Sequence, residues 1–231
     1  MKEFLAAREV AFESIDVVRE PAALETLREA GLRGVPVVAR GETFVYAQDL
    51  SQVADLVGLE YAAEPTLSPE ILVERYTKVL RAAKRFAVQI PAARLADQLP
   101  ERPRTYLALL NHLVEIAAVY IRVSQGEPFT GKFARAVPSP ERGIDGLLQH
   151  TDEVIGALQG ALQVTQRDPG RKVDTYYGPQ SLHALLERCT WHSAQHARQV
   201  MMVLRMLDIE PDGALVDEDF DDLPMPNDVW D

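Results

Sequence analysis

From residue 69 to residue 207 the sequence keeps one grammar: long segments whose apolar residues recur every three or four positions, parted by breaks rich in proline and glycine. That recurrence is the period of one α-helical face, so each segment carries a stripe that must be buried on a neighbour. Pro69 to Val88 places Leu72, Tyr76, Val79 and Ala83 on one stripe, and Ser68-Pro69 supplies a cap and a proline suited to the first helical position. Leu99-Pro100-Glu101-Arg102-Pro103 interrupts, and a second helix is expected over about Thr105 to Gln125. A long loop, Gly126 to Pro138, contains Lys132 and Arg135 and leads through Ser139-Pro140-Glu141 to a third helix ending near Gln163. Another loop, Thr165 to Tyr177, precedes Gly178-Pro179-Gln180-Ser181 and a fourth helix to about Leu207. Four amphipathic helices of about 20 to 30 residues are what a four-helix bundle needs.

The fourth helix carries the sharpest chemical signal. Its stripe reads Leu182, Leu185, Cys189, His192, His196, Val200, Val203, Leu207, so two histidines occupy core positions one turn apart. Imidazoles at i and i+4 project from one face and can share a metal ion. A third, His112, lies in the apolar second helix. Alone it would read as a hydrogen-bonded core residue. Three inward imidazoles without a shared partner would be costly to desolvate, which favours a three-histidine site with an open position for water or substrate. His150 and His183 fall off the stripe and are expected at the surface. Cys189 is either a soft ligand or a small core hydrophobe. Glu115, one turn after His112, suits a general base or an acceptor for an imidazole N–H, or else a solvated helix face. Arg198 and Gln195 flank His196 and suit a carboxylate or a ligand to be fixed, unless Arg198 pairs across the bundle. Tyr106, Tyr176 and Tyr177 either line a cavity or pack.

The first sixty residues are written differently. Lys2 to Arg8 reads as a short helix, Ala11 to Val18 as a strand, Glu20 to Ala30 as a helix, and Gly34 to Ala39 as a β-branched run. A turn at Arg40-Gly41, a strand Thr43 to Tyr46, and a helix capped by Asp49 or Ser51 and closed by Gly58 complete it. This stretch resembles the glutaredoxin and thioredoxin family on Gly34-Val35-Pro36-Val37, the hairpin Arg40-Gly41-Glu42 and the last helix. The family's C-x-x-C motif is missing, and the single cysteine is Cys189, so the stretch lacks the thiolate that thiol-disulfide exchange needs. The resemblance implies a module without redox cysteines, suited to docking or to binding a thiol or peptide beside Pro36.

The bundle segment is in turn similar to the DinB/YfiT-like superfamily. Tyr177-Gly178-Pro179-Gln180-Ser181-Leu182-His183 and Trp191-His192-Ser193-Ala194-Gln195-His196-Ala197-Arg198-Gln199 carry the likeness over about 70 to 207. It implies an up-down-down-up four-helix bundle holding a divalent metal on His112, His192 and His196, zinc first, with nickel, iron or manganese as alternatives. It also implies a homodimer and, among members, thiol-dependent transferases and isomerases as well as hydrolases. The fold class expected for the whole chain is α+β, a small thioredoxin-like α/β module followed by that bundle. The expected divisions are 1–60 for the module, 61–68 for a linker, 69–207 for the bundle and 208–231 for an acidic strap.

Charge divides along the same lines. Of the 24 basic and 35 acidic residues, 1–60 hold 6 and 11, while 208–231 hold 10 acidic residues and no basic one. All five histidines lie between. A net charge of −11 without a basic stripe argues against nucleic acid as a partner. No uninterrupted apolar run reaches the roughly 20 residues of a membrane span, and charges break the amino terminus before a signal-peptide core can form. A cytoplasmic protein without membrane contact is expected. In the tail, Phe220, Leu223, Met225 and Trp230 among the acids suggest a strap pinned to the N-terminal module or a dimer partner.

An open metal held by neutral ligands keeps its charge and can activate a thiol or polarise a substrate oxygen. The first reading is therefore a metal-dependent enzyme acting on a small molecule with a low-molecular-weight thiol as co-substrate, of transferase or isomerase type. The alternatives are a hydrolase that activates water against an amide, ester or carbon–halogen bond, and a non-catalytic, metal-stabilised binding or stress protein.

Overall fold

Residues 1–64 and 65–225 build two compact units. The structure, a computed structural model, describes residues 1–226 and 229 apart from 7, 18, 33, 61–64, 101–103 and 131–142. The first unit runs α1 (Lys2–Ala6), α2 (Pro21–Glu29), β1 (Val37–Arg40), β2 (Thr43–Tyr46) and α3 (Leu50–Val57). β1 and β2 pair antiparallel with Val37 opposite Tyr46 and Arg40 opposite Thr43, so Gly41-Glu42 makes the turn. Asp49 is the cap of α3: its Oδ1 accepts from the Ser51 and Gln52 amides, each at 3.1 Å, and Gly58 at φ +79° ends the helix. The peptide before Pro36 is cis.

The strand expected over Ala11–Val18 is not formed at its described residues, where Phe12 and Ile15 stay exposed. The reason lies in its pattern. Phe12 falls on one face of the alternation and Ile15 and Val17 on the other, so neither face is apolar enough to be buried. The sheet of this unit accordingly has two strands among the described residues.

The second unit contains α4 (Pro69–Gln89), α5 (Tyr106–Ser124), α6 (Gly143–Arg167) and α7 (Leu182–Met206). Three of the four begin on hydroxyl caps, where Ser68, Thr105 and Ser181 accept from the amides of Ile71, Ala108 and Ala184. The expected entry to α6 through Ser139-Pro140-Glu141 lies outside the described residues, as do Lys132, Arg135 and Glu101 to Pro103. α6 continues a turn beyond Gln163. What the sequence presents as a loop before α7 is a second hairpin, β3 (Lys172–Thr175) paired with β4 (Gly178–Ser181). Pro179 and Gly178 point to a loop, yet a two-stranded ribbon has free edges on which a missing N–H costs nothing.

α4 and α5 each pack against both α6 and α7, so the order around the bundle is α4, α6, α5, α7. α4 and α5, and likewise α6 and α7, thus sit diagonally across the bundle, whereas the consecutive α5 and α6 are neighbours. α5 is long and apolar enough to cross a membrane by length and composition, but most of that surface is buried inside the bundle. Side-chain chains tie the helices together: Tyr120 of α5 bonds Thr165 Oγ1 of α6 at 2.6 Å, and Thr165 donates to the Ala161 carbonyl. Arg171 Nη2 donates to the last carbonyls of α5, at 2.7 Å to Ser124.

Over residues 210–221 the acidic tail returns along α4. Gln89 bonds the backbone of Glu210 and Asp212, Arg85 bonds the Asp212 and Gly213 carbonyls, Lys78 pairs with Asp219, and Arg75 bonds the Asp221 carbonyl. Leu215 and Leu223 are buried beneath it. Gly213 makes the turn at φ +59°, where a Cβ would come within 2.9 Å of Arg85 Nη2. Trp230 lies outside the described residues.

Candidate metal centre

α5 presents His112, and α7, packed beside it, presents His192 and His196. One nitrogen from each ring lies within 4.8 Å of the other two, and the ring centroids are 4.8 to 5.6 Å apart. Zinc–nitrogen bonds of about 2.0–2.1 Å require the group to close by roughly 1 Å, within the reach of side-chain rotation. His112 and His196 are buried and His192 is half-buried.

A buried hydrogen-bond chain fixes the two helices beside these ligands. Ser193 Oγ donates to the Leu113 carbonyl at 3.0 Å, and the Tyr76 hydroxyl of α4 reaches Ser193 Oγ at 2.9 Å. Ser193 follows His192 and Leu113 follows His112, so the chain holds α5 and α7 in register where the imidazoles emerge. The tautomer of one ring is also set. His196 Nδ1 donates to Gln199 Oε1 at 2.8 Å, which leaves the lone pair on Nε2. His192 Nδ1 is buried without a hydrogen-bond partner. A metal ion would satisfy that orphaned nitrogen, and three nitrogen donors suit a divalent transition metal, so the residues fit the group.

Charge on the rings is suppressed. Burial, with His196, Arg104 and Arg188 nearby, pushes the His112 imidazole down to about 2. Burial and the neighbouring His196 and Arg188 likewise hold His192 well below the ordinary imidazole range. Both are therefore neutral at pH 7, the form that binds metal. Replacing Gln199 by alanine is expected to weaken metal binding by about 10- to 100-fold while the fold is retained, measured by competition with a chromophoric chelator.

The other candidates stand apart from the ligand group. Glu115 pairs with Arg122 of the same helix at 3.5 Å, and its Oε1 lies 3.0 Å from His150 Nε2 on α6. His150 is thereby half-buried rather than on the surface. His183 is half-buried as well, its Nε2 donating to the Leu67 carbonyl at 2.8 Å where the chain enters α4. Arg198 Nη1 donates to Gln195 Oε1 at 3.1 Å and so orients that buried amide. Cys189 is fully buried and not part of the ligand group, and burial pushes its thiol up to about 12. It is expected to resist Ellman's reagent in the native protein at pH 8 and to react fully in denaturant; rapid native labelling would contradict this burial.

Tyr106 and Tyr177 are buried and Tyr176 is half-buried. The last two form the tip of the β3–β4 hairpin and cluster with Phe129, with ring centroids 4.9 to 6.1 Å apart. Tyr177 in turn lies under Arg188, whose Cζ is 4.7 Å from the ring centroid. Arg188 was not among the residues suggested by the stripe, although it stands four positions before His192.

A bundle of this architecture with three inward histidines defines a class of helical metal-site proteins. The family model of the DinB superfamily matches residues 22–200, most of the chain, and the chain belongs to that superfamily. DinB-like proteins bind metals, in keeping with the three-histidine group. The match takes in α2, the first hairpin and α3, a stretch the sequence likens to glutaredoxin. No curated protein matches the chain.

Proposed function

We propose that this protein is a metal-dependent enzyme that activates a low-molecular-weight thiol at His112, His192 and His196 and transfers it to, or isomerises with it, a small electrophile. The observation that carries the reading is the convergence of three neutral imidazoles from two helices, one with its tautomer fixed by Gln199 and one with a buried nitrogen lacking a partner. A bound divalent ion, zinc in this reading, supplies Lewis acidity and stabilises a thiolate at neutral pH. Because the three ligands carry no charge, an anionic sulfur is favoured over a neutral ligand. The chain's own contribution is positional. Tyr76 and Ser193 hold the ligand-bearing helices together, and Gln199 orients His196. Glu115 steadies α5 against α6, and Arg198 holds the Gln195 amide beside the site.

In this reading the N-terminal unit is a docking module without thiol-disulfide chemistry of its own, and the working form is a cytoplasmic homodimer that takes a small-molecule substrate. The test is to purify the protein without added metal, measure its metal content, and incubate it with electrophiles in the presence and absence of thiols. Product is expected only with thiol and only before chelation. Turnover independent of thiol would replace the reading with metal-dependent hydrolysis, and tight ligand retention without turnover would replace it with a binding protein.

A further inference from the structure

One guanidinium beside the three histidines, that of Arg188, lacks a carboxylate partner among the described residues. Arg188 sits one helical turn before His192 on α7, and its Nε is buried without a hydrogen-bond partner. No carboxylate among the described residues lies within ion-pair distance of it. Tyr177 stacks on one face of the guanidinium and Tyr176 accepts a hydrogen bond from it, so the group is held flat at the hairpin tip. A half-buried cation whose Nε is shut off from solvent and which lacks a counter-ion is costly, and more so beside a divalent ion on neutral ligands. Such a site calls for an anion of its own.

We infer that Arg188 binds a carboxylate of the small molecule activated at the three histidines, so that the substrate class is a small carboxylic acid. The chemistry is specific. The Nε–H and one terminal N–H form the side-on edge of the guanidinium, whose spacing matches the two oxygens of a carboxylate. The i, i+4 spacing puts the side chains of Arg188 and His192 on one face of α7 with their Cβ atoms roughly 6 Å apart, so that one small molecule can reach both. This moves the anion-recognising role from Arg198, which is engaged with Gln195, to Arg188.

The inference rests on the reading of a metal-dependent thiol enzyme, and two ligand pairs separate the two ideas. Mercaptoacetate is compared with mercaptoacetamide, and acetate with acetamide, by calorimetric titration of the protein at measured metal content. In the wild type each carboxylate is expected to bind at least about 10-fold more tightly than its neutral amide. In Arg188→Gln the preference is expected to fall below about 2-fold with metal content unchanged, and Arg188→Lys, which keeps the charge but not the fork, to recover only part of it. Equal binding of acid and amide in the wild type, which needs no variant to fold, would overturn the inference. So would a preference that survives Arg188→Gln, because the carboxylate would then sit on the metal, or inorganic phosphate binding more tightly than either acid. Failure of both thiols with acetate still preferred over acetamide would remove the thiol reading and leave Arg188 as the carboxylate site.

Discussion

Replacing His192 and His196 together by alanine is expected to take bound divalent metal from about one ion per chain to background, since one imidazole alone cannot hold the ion against solvent. The loss should exceed the roughly 100-fold limit seen when an outer hydrogen-bond partner is removed. The double variant should still fold. Two alanines in a helix bring favourable propensity, and they relieve the desolvation of two imidazoles that are buried at least in part. Elemental analysis after gel filtration, beside a helical circular dichroism spectrum, separates loss of metal from loss of fold. Stoichiometric metal in a folded double variant would show that the ion lies elsewhere.

The second large effect concerns the tail. Ending the chain at Leu207 removes Leu215 and Leu223 from their buried positions and breaks the backbone contacts made by Arg85 and Gln89. Burial of a leucine contributes about 1.5 to 3 kcal/mol, and the partly exposed hydrogen bonds contribute less than about 1 kcal/mol each. The Lys78–Asp219 pair adds little, because the lysine end is largely in water. A loss of about 4 kcal/mol corresponds to a fall in melting temperature of about 8 to 16 °C for a chain of this size. Leu215→Ala with Leu223→Ala should reproduce most of it, while Asp217→Asn with Glu218→Gln should not. An unchanged melting temperature after truncation would mean that the tail contributes nothing to the bundle.

How much of this was legible beforehand depended on the kind of signal. The four helices and their caps follow from local rules, in which an apolar stripe meets Ser68, Thr105 or Ser181. The three histidines were legible for the same reason, because His192 and His196 interrupt an otherwise apolar stripe and His112 sits in the most apolar helix. Arg188 carries no such signal, because a charged residue on a helix ordinarily marks the solvent face. Its four-residue offset from His192 was the available clue. Gly178 and Pro179 hide the hairpin before α7, and the segment from Ala11 alternates like a strand but with apolar residues on both faces. The tail's hydrophobic anchors were visible, but its docking surface was not: Arg75, Lys78 and Arg85 recur along one side of α4, and only the tertiary structure shows that they meet the tail.

The central claim is that three imidazoles, and no sulfur from the chain, hold a metal in this bundle. X-ray absorption at the metal edge, on protein purified without added metal or thiol, tests it most directly. The expected spectrum has three imidazole nitrogens and a remaining light-atom ligand, and it disappears in the His192→Ala, His196→Ala protein. A sulfur shell attributable to Cys189, or a metal signal unchanged in that variant, would contradict the account.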